Sequence, residues 1–341
     1  MLKNTAMAAA VLAVAVTCAL GVPTALVLGR VRRLRSACAP MTQPQPEGHK
    51  RAPLLGGLVL WLGVGVAFVT AFLLVNSQLA ANGYIGGWRT AATLLGSAFA
   101  FGFAGLFLDC VRIMRADTPR AGTQLPYWLQ LMAQLMIAGV FLLQQMLNGN
   151  QSTMICLPGG WVDLGWWYYP LALLLILAVV NAVRITEEPD GVCAGGGFVA
   201  SLMFLVMAML LLELDVPGDR FVTALFAAAV AGGCIGFLFW NFFPARLRPG
   251  SAGSMFLGGA LVAMAWNLGR PELLLFICAG YLLDALGALL CSVSRGKLCS
   301  FGAFHNGMEK LGWSRPQLTA ALCSLGIFGG TMAVMAVFLY G

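Results

Sequence analysis

The sequence predicts an all-α protein that crosses a membrane about ten times, with both termini outside. Three observations predict it. Of the 341 residues, 60% are hydrophobic and only 10% are charged. The apolar residues fall into runs, most of them near the ~20 residues that a helix rising ~1.5 Å per residue needs to cross ~30 Å of hydrocarbon. Basic residues also collect in alternate gaps. Segments 30–52, 110–126, 184–191, 243–254 and 293–316 hold 16 of the 20 Lys and Arg, which leaves Lys3, Arg89, Arg220 and Arg270 for the other side. By the positive-inside rule the first set is cytoplasmic, so the polar loops face the cytoplasm from a cell inner (plasma) membrane.

The first run, 4–29, is longer than the apolar core of a signal peptide. Arg30, Arg32, Arg33 and Arg35 follow it at once and resist translocation, so it is expected to stay as the first helix. The second, 53–75, begins around the pair Gly56-Gly57. The third, 91–109, ends on Asp109 ahead of a basic loop, and the fourth, 127–147, follows that loop. The fifth and sixth, 166–183 and 192–213, flank the polar stretch 184–191, and Glu213 lies at the outer end, where it reaches water. The seventh, 220–242, and the eighth, 255–269, carry Gly232-Gly233 and Gly258-Gly259, pairs that let helix backbones approach closely in lipid. The eighth run is the shortest. The ninth and tenth are 272–292 and 317–340, and the whole of 1–341 reads as one transmembrane domain.

The net charge of +7 is what this orientation requires, and basic loops also meet anionic headgroups. It is no nucleic-acid footprint, and no nucleic-acid partner is expected. Most of the ten cysteines lie in spans or on the cytoplasmic side, with Cys156 in an outer loop. They read as small packing residues rather than a disulfide framework.

Polar residues at a membrane face are costly unless they meet water or a partner, so their clusters mark candidate sites. Five stretches qualify on the cytoplasmic side: "HKRAPLLGG" from His49, "LDCVRIMRADTPR" from Leu108, "NAVRITEEPDGVCAGG" from Asn181, "NFFPARLRPGSAGS" from Asn241 and "FGAFHNGMEKLGW" from Phe301. Together they gather Asp109, Glu187, Glu188 and Asp190 with Arg112, Arg184, Arg246, Arg248, Lys50 and both histidines. Carboxylates beside guanidinium groups suit a metal-bridged polyphosphate. The "PGSAGS" turn ahead of an apolar helix can present backbone N–H groups to an anion. The plainer reading, solvated connectors that carry orienting arginines, stays open on these residues alone.

Taken in order, these stretches resemble the motifs of the polyprenyl-phosphate sugar-1-phosphate transferases (glycosyltransferase family 4), most closely the phospho-N-acetylmuramoyl-pentapeptide transferase branch of peptidoglycan precursor synthesis. "KRAPLLGG" is similar to the family's "KRGTPTMGG", and "NAVRITEEPDGVCAG" to "NAVNLTDGLDGLAAG". "GFLFWNFFPARLRPGSAGSMFLGG" and "AFHNGMEKLGW" match two further motifs, and the likeness runs from His49 to Trp313. The resemblance implies a ten-helix fold that binds a uridine nucleotide-sugar and a polyprenyl phosphate, with Mg²⁺ if the protein is active. A homodimer is an assembly it admits. It implies Asp109, Glu187 and Asp190 as catalytic residues, and Lys50, Arg51, Asn181, Asn241 and His305 as substrate-binding ones, with Asp190 and Asn241 at the uridine. Asp284 stands for a family glutamate.

The chain departs from the family pattern at its carboxylates. The second of a paired aspartate is Cys110, the metal-binding aspartate of "MGD" is Ser251, three histidines become His305, Asn306 and Gly307, a lysine becomes Gln130, and Arg184 replaces an asparagine where it is placed to pair with Asp190. No metal ligand set is assigned on these residues. The expected function is therefore a divergent family member with catalysis weak or lost. The alternatives are an active transferase with an altered metal site or substrate, and a non-catalytic scaffold for envelope-biosynthesis partners.

Overall fold

The computed structural model describes residues 2–30, 52–81, 86–115, 125–149, 153–157, 160–212, 218–293 and 303–340. Among them the chain is almost wholly helical. The helices are α1 (Leu2–Arg30), α2 (Gly57–Ala81), α3 (Gly87–Arg115), α4 (Tyr127–Leu147), α5 (Tyr168–Ile185), α6 (Val192–Leu212), α7 (Gly218–Asn241), α8 (Gly250–Asn267), the short α9 (Leu273–Ile277), α10 (Ala279–Val293), α11 (Phe304–Lys310) and α12 (Arg315–Tyr340). Eight helices are long and apolar enough to cross a membrane. The two remaining runs expected from the sequence, 255–269 and 272–292, correspond to α8 and to α9–α10, so the chain is an all-α polytopic membrane protein.

Several helices run further than their apolar runs. α3 continues through Asp109, Cys110 and Arg112 to Arg115, α5 continues through Arg184, and α8 starts at Gly250 rather than at residue 255. These polar residues are therefore on helix ends, not in loops. The expected loops 110–126, 184–191 and 243–254 are shorter than their charge pattern suggested. Loop 30–52, with Lys50 and Arg51, lies almost wholly outside the described residues.

α7 and α8 form the centre. Residues 250–266 of α8 are all buried. Small residues make this possible, because without a side chain the backbones meet. A Cβ on Gly57 of α2 would lie 2.3 Å from the Gly253 nitrogen, and one on Gly105 of α3 would lie 2.1 Å from the Ser251 carbonyl oxygen. Gly232 of α7 abuts the Ala10 carbonyl of α1 in the same way, and Gly258 abuts Val180 of α5. Aromatic rings fill the wider gaps: Trp61 stacks on Phe256 at 5.8 Å between centroids, meets Phe99 edge-on, and donates from Nε1 to the Ala252 carbonyl at 3.1 Å.

At the other end of the bundle, β1 (Met154–Leu157) and β2 (Gly160–Asp163) form an antiparallel hairpin. Its Trp161 ring lies 4.3 Å beneath the Arg270 guanidinium. The expected outer loop therefore has structure of its own. Four residues per strand are too few for alternation to be read reliably from sequence.

Candidate functional site

The ends of α3, α5, α7, α8 and α10 meet α11 and the start of α12 at one end of the bundle. Asp109 is fully buried there. Its carboxylate sits on the N-terminus of α8, accepting from the Ser251 N–H at 3.1 Å and the Ala252 N–H at 2.9 Å. The anion that the PGSAGS turn holds is thus a side chain of α3, a partner suited to the positive end of a helix. Gly250, at φ 63°, permits this approach, since a Cβ there would lie 2.5 Å from Asp109 Oδ2.

One turn along α3, Arg112 Nη1 lies 3.7 Å from Asp109 Oδ1 and donates to Glu187 Oε1 at 2.9 Å. Glu187 Oε2 accepts from the Ser254 hydroxyl at 3.1 Å. Arg248 closes the same turn from behind, donating to the carbonyls of Glu187 at 3.2 Å and Glu188 at 2.6 Å. Burial alone would raise the Glu187 carboxyl, but the charges of Arg112 and Arg184, the Arg112 hydrogen bond and the Arg248 charge outweigh it and hold the group below its ordinary range.

A cavity of about 400 Å³ opens beside this cluster. Its polar walls include Arg112, Asn181, Arg184, Glu187, Glu188 and His305. Asn181 is oriented by Gln134, to which it donates at 2.6 Å. His305 is fixed by Asp284, which takes the His305 backbone N–H on Oδ1 and the ring Nδ1 on Oδ2, both at 2.8 Å. Among the described residues the second ring nitrogen, Nε2, is buried without a partner, as is Gln130 Oε1, and both residues line the cavity.

The structure thus brings Asp109, Glu187, Asn181 and His305 together, while Asp190 and Asn241 lie apart. Asp190 does not pair with Arg184. Its carboxylate is held by Arg315 of α12 at 3.1 Å and by the Ala245 N–H at 3.2 Å, and Arg184 lines the cavity instead. The Asn241 amide is committed to the backbone: it accepts from the Gly191 N–H at 3.2 Å and donates to the Leu247 carbonyl at 3.0 Å. Lys50 and Arg51 lie outside the described residues, but the segment that follows them docks on the same loop. Leu55, at φ 75°, turns the chain so that the N–H groups of Gly56 and Gly57 reach the Arg248 and Pro249 carbonyls at 2.9 and 3.0 Å. Sequence reasoning missed the roles of Ser254 and Arg315. The placement of Arg112 was legible in principle, since three residues after Asp109 is one helical turn.

Mg²⁺, which the family motifs imply, fits this donor set poorly. Both Asp109 oxygens face the α8 N–H groups, both Glu187 oxygens are engaged, and a guanidinium stands between the two carboxylates. Among the described residues no group of three or more His, Cys, Asp or Glu is arranged to hold a metal ion.

A buried carboxylate–arginine cluster thus lies beside a polar cavity at one end of a multi-span helical bundle. The sequence profile described as "Glycosyl transferase family 4" matches residues 91–269, more than half of the chain, and the protein belongs to that family. It is similar to the phospho-N-acetylmuramoyl-pentapeptide-transferase of Heliobacterium modesticaldum, 30% identical over 85% of this chain and 86% of the relative. The enzyme of the same name from Desulforudis audaxviator is 30% identical over 94% of each chain. That from Acetivibrio thermocellus is 30% identical over 83% of this chain and 84% of its own.

Proposed function

We propose that this protein is a divergent phospho-N-acetylmuramoyl-pentapeptide transferase-like member of the family. It recognises a uridine nucleotide-sugar, a polyprenyl phosphate or both at the cytoplasmic face of the inner membrane, and its sugar-phosphate transfer is weak or lost. The observation that carries this reading is the cavity itself. Arg112, Arg184, Asn181 and His305 line a space suited to phosphate oxygens and to a polar ligand head, at the end of the bundle that holds most of the described basic residues. The relatives' shared name supports the substrate class. Weak transfer follows from the carboxylates. Cys110 and Ser251 supply no acidic oxygen, and of the acids that remain Asp109 is bound to backbone N–H groups and Glu187 to Arg112, which leaves Glu188 on the cavity wall.

A working transferase with a changed mechanism is the second reading, favoured by His305, whose Nε2 is buried and unpartnered in a residue that lines the cavity. Purified protein offered a uridine nucleotide-sugar and undecaprenyl phosphate separates the two. Binding of the nucleotide with little release of uridine monophosphate is the expected result. Robust turnover would promote the second reading, and no binding of either substrate would leave a scaffold.

A further inference from the structure

The family motifs call for a divalent cation between carboxylates, and this chain has a guanidinium there. Resting on the family reading of the site, we propose that Arg112, with Arg184 beside it, is a built-in replacement for the metal. It neutralises Asp109 and Glu187 on one side and the phosphate oxygens of an anionic ligand on the other, so ligand binding is independent of Mg²⁺.

Three observations lead to this. Arg112 occupies the bridging position, 2.9 Å from Glu187 Oε1 and 3.7 Å from Asp109 Oδ1, and it also lines the cavity. A guanidinium offers five N–H donors in a fixed fork. Among the described residues Arg112 makes one hydrogen bond, to Glu187, which leaves most of the fork for a ligand.

The acceptors are the second observation. A hard divalent ion needs oxygen lone pairs and keeps several waters. Here Asp109 and Glu187 point their oxygens at N–H and O–H donors already in place, and an ion added between them would sit beside a fixed positive charge.

The third is the remaining charge and the orphaned atoms. Arg184 lines the cavity and makes no hydrogen bond or ion pair among the described residues. His305 Nε2 and Gln130 Oε1 are buried and unpartnered on residues of the same walls. Cationic donors together with unsatisfied buried polar atoms are what a polar anionic ligand would complete.

The test uses the full chain in detergent and has two arms. In the first, ligand-free wild-type protein is titrated with Mn²⁺, a paramagnetic stand-in for Mg²⁺, and bound ion is read by electron paramagnetic resonance. No bound ion is expected. One Mn²⁺ held per chain and lost in Glu187→Gln overturns the proposal. In the second, uridine diphosphate binding is measured by calorimetry with Mg²⁺ and again with a chelator. Equal affinities are expected, with Arg112→Gln weakening binding about tenfold in the chelator. Loss of wild-type binding on chelation also overturns the proposal. If uridine diphosphate binds under neither condition, the uridine reading of the site falls, and the Mn²⁺ titration alone decides the place of Arg112.

Discussion

At the scale of single residues, Asp109 is the keystone of the charged end. It is fully buried, it caps α8 with two N–H bonds, and it faces Arg112. Removing one partner from such a cluster leaves the rest buried and uncompensated, at a cost of about 3–5 kcal/mol. Asp109→Ala should therefore lower the thermal unfolding midpoint well beyond the effect of Cys110→Ala, whose thiol is exposed. Thermal unfolding in detergent measures the difference, and equal midpoints would deny Asp109 this role. Glu187 carries a pH signature. Its folded carboxyl is held below the ordinary value of 4.5, so its contribution to stability is complete above that value and is lost as pH falls through the lower folded one. Stability of the wild type should drop on acidification through that window. In Glu187→Gln this part of the slope should be missing.

Residue roles were only partly legible in the sequence. Asp109 and Glu187 stood out as carboxylates at a membrane face, and the structure gathers them. Asn241 stood out equally, yet its amide ties Gly191 to Leu247. No one-dimensional pattern distinguishes an amide that faces a ligand from one that closes a loop. Asn241→Ala is thus expected to destabilise the protein by about 1–3 kcal/mol, by orphaning two buried backbone groups. Nucleotide affinity, measured where the variant remains folded, should fall less than in Arg112→Gln.

At the scale of elements, hydropathy located the helices well because lipid requires every backbone group to be bonded within its own segment. It misplaced their polar ends. α3 and α8 continue into charged or small-residue sequence because Asp109 and the α8 N-terminus satisfy each other, and that pairing joins residues far apart in the chain. The hairpin at 154–163 was missed for a different reason, since its few residues carry no periodicity strong enough to read. The α3–α8 contact itself is open to test. Gly250→Ala would place a methyl 2.5 Å from Asp109 Oδ2 at a φ of 63°, and it should cost about 1–3 kcal/mol. Gly96→Ala on α3, where a Cβ meets nothing within 4 Å, is the matched control and should leave stability nearly unchanged.

For the whole molecule, the division of basic residues predicts the orientation. With 16 of 20 on one side, the cavity and Cys110 should face the cytoplasm. A membrane-impermeant maleimide should label Cys110 in inverted vesicles and not in intact cells. Labelling of Cys110 from outside, read in a chain whose outer Cys156 is replaced by Ser, would reverse the bundle. Catalysis is also a property of the assembly, because groups that act as a unit do not contribute additively. Restoring Cys110→Asp, Ser251→Asp, Asn306→His and Gly307→His together should raise sugar-phosphate transfer by more than the single changes combined. The gain should be larger again when Arg112→Gln vacates the bridge.

The buried central helix has a consequence for how the protein is made. α8 is enclosed by protein from Gly250 to Trp266. Its sequence is rich in Gly, Ala and Ser, which suits tight packing against protein more than contact with lipid chains. The segment that organises the site therefore depends on earlier helices for its entry. α2, α3, α5 and α7 must be in the bilayer, or arriving with it, to offer the surfaces that α8 lacks in lipid. Order of synthesis supplies this, since all four precede α8 in the chain, so the charged end of the bundle is completed late in its biogenesis.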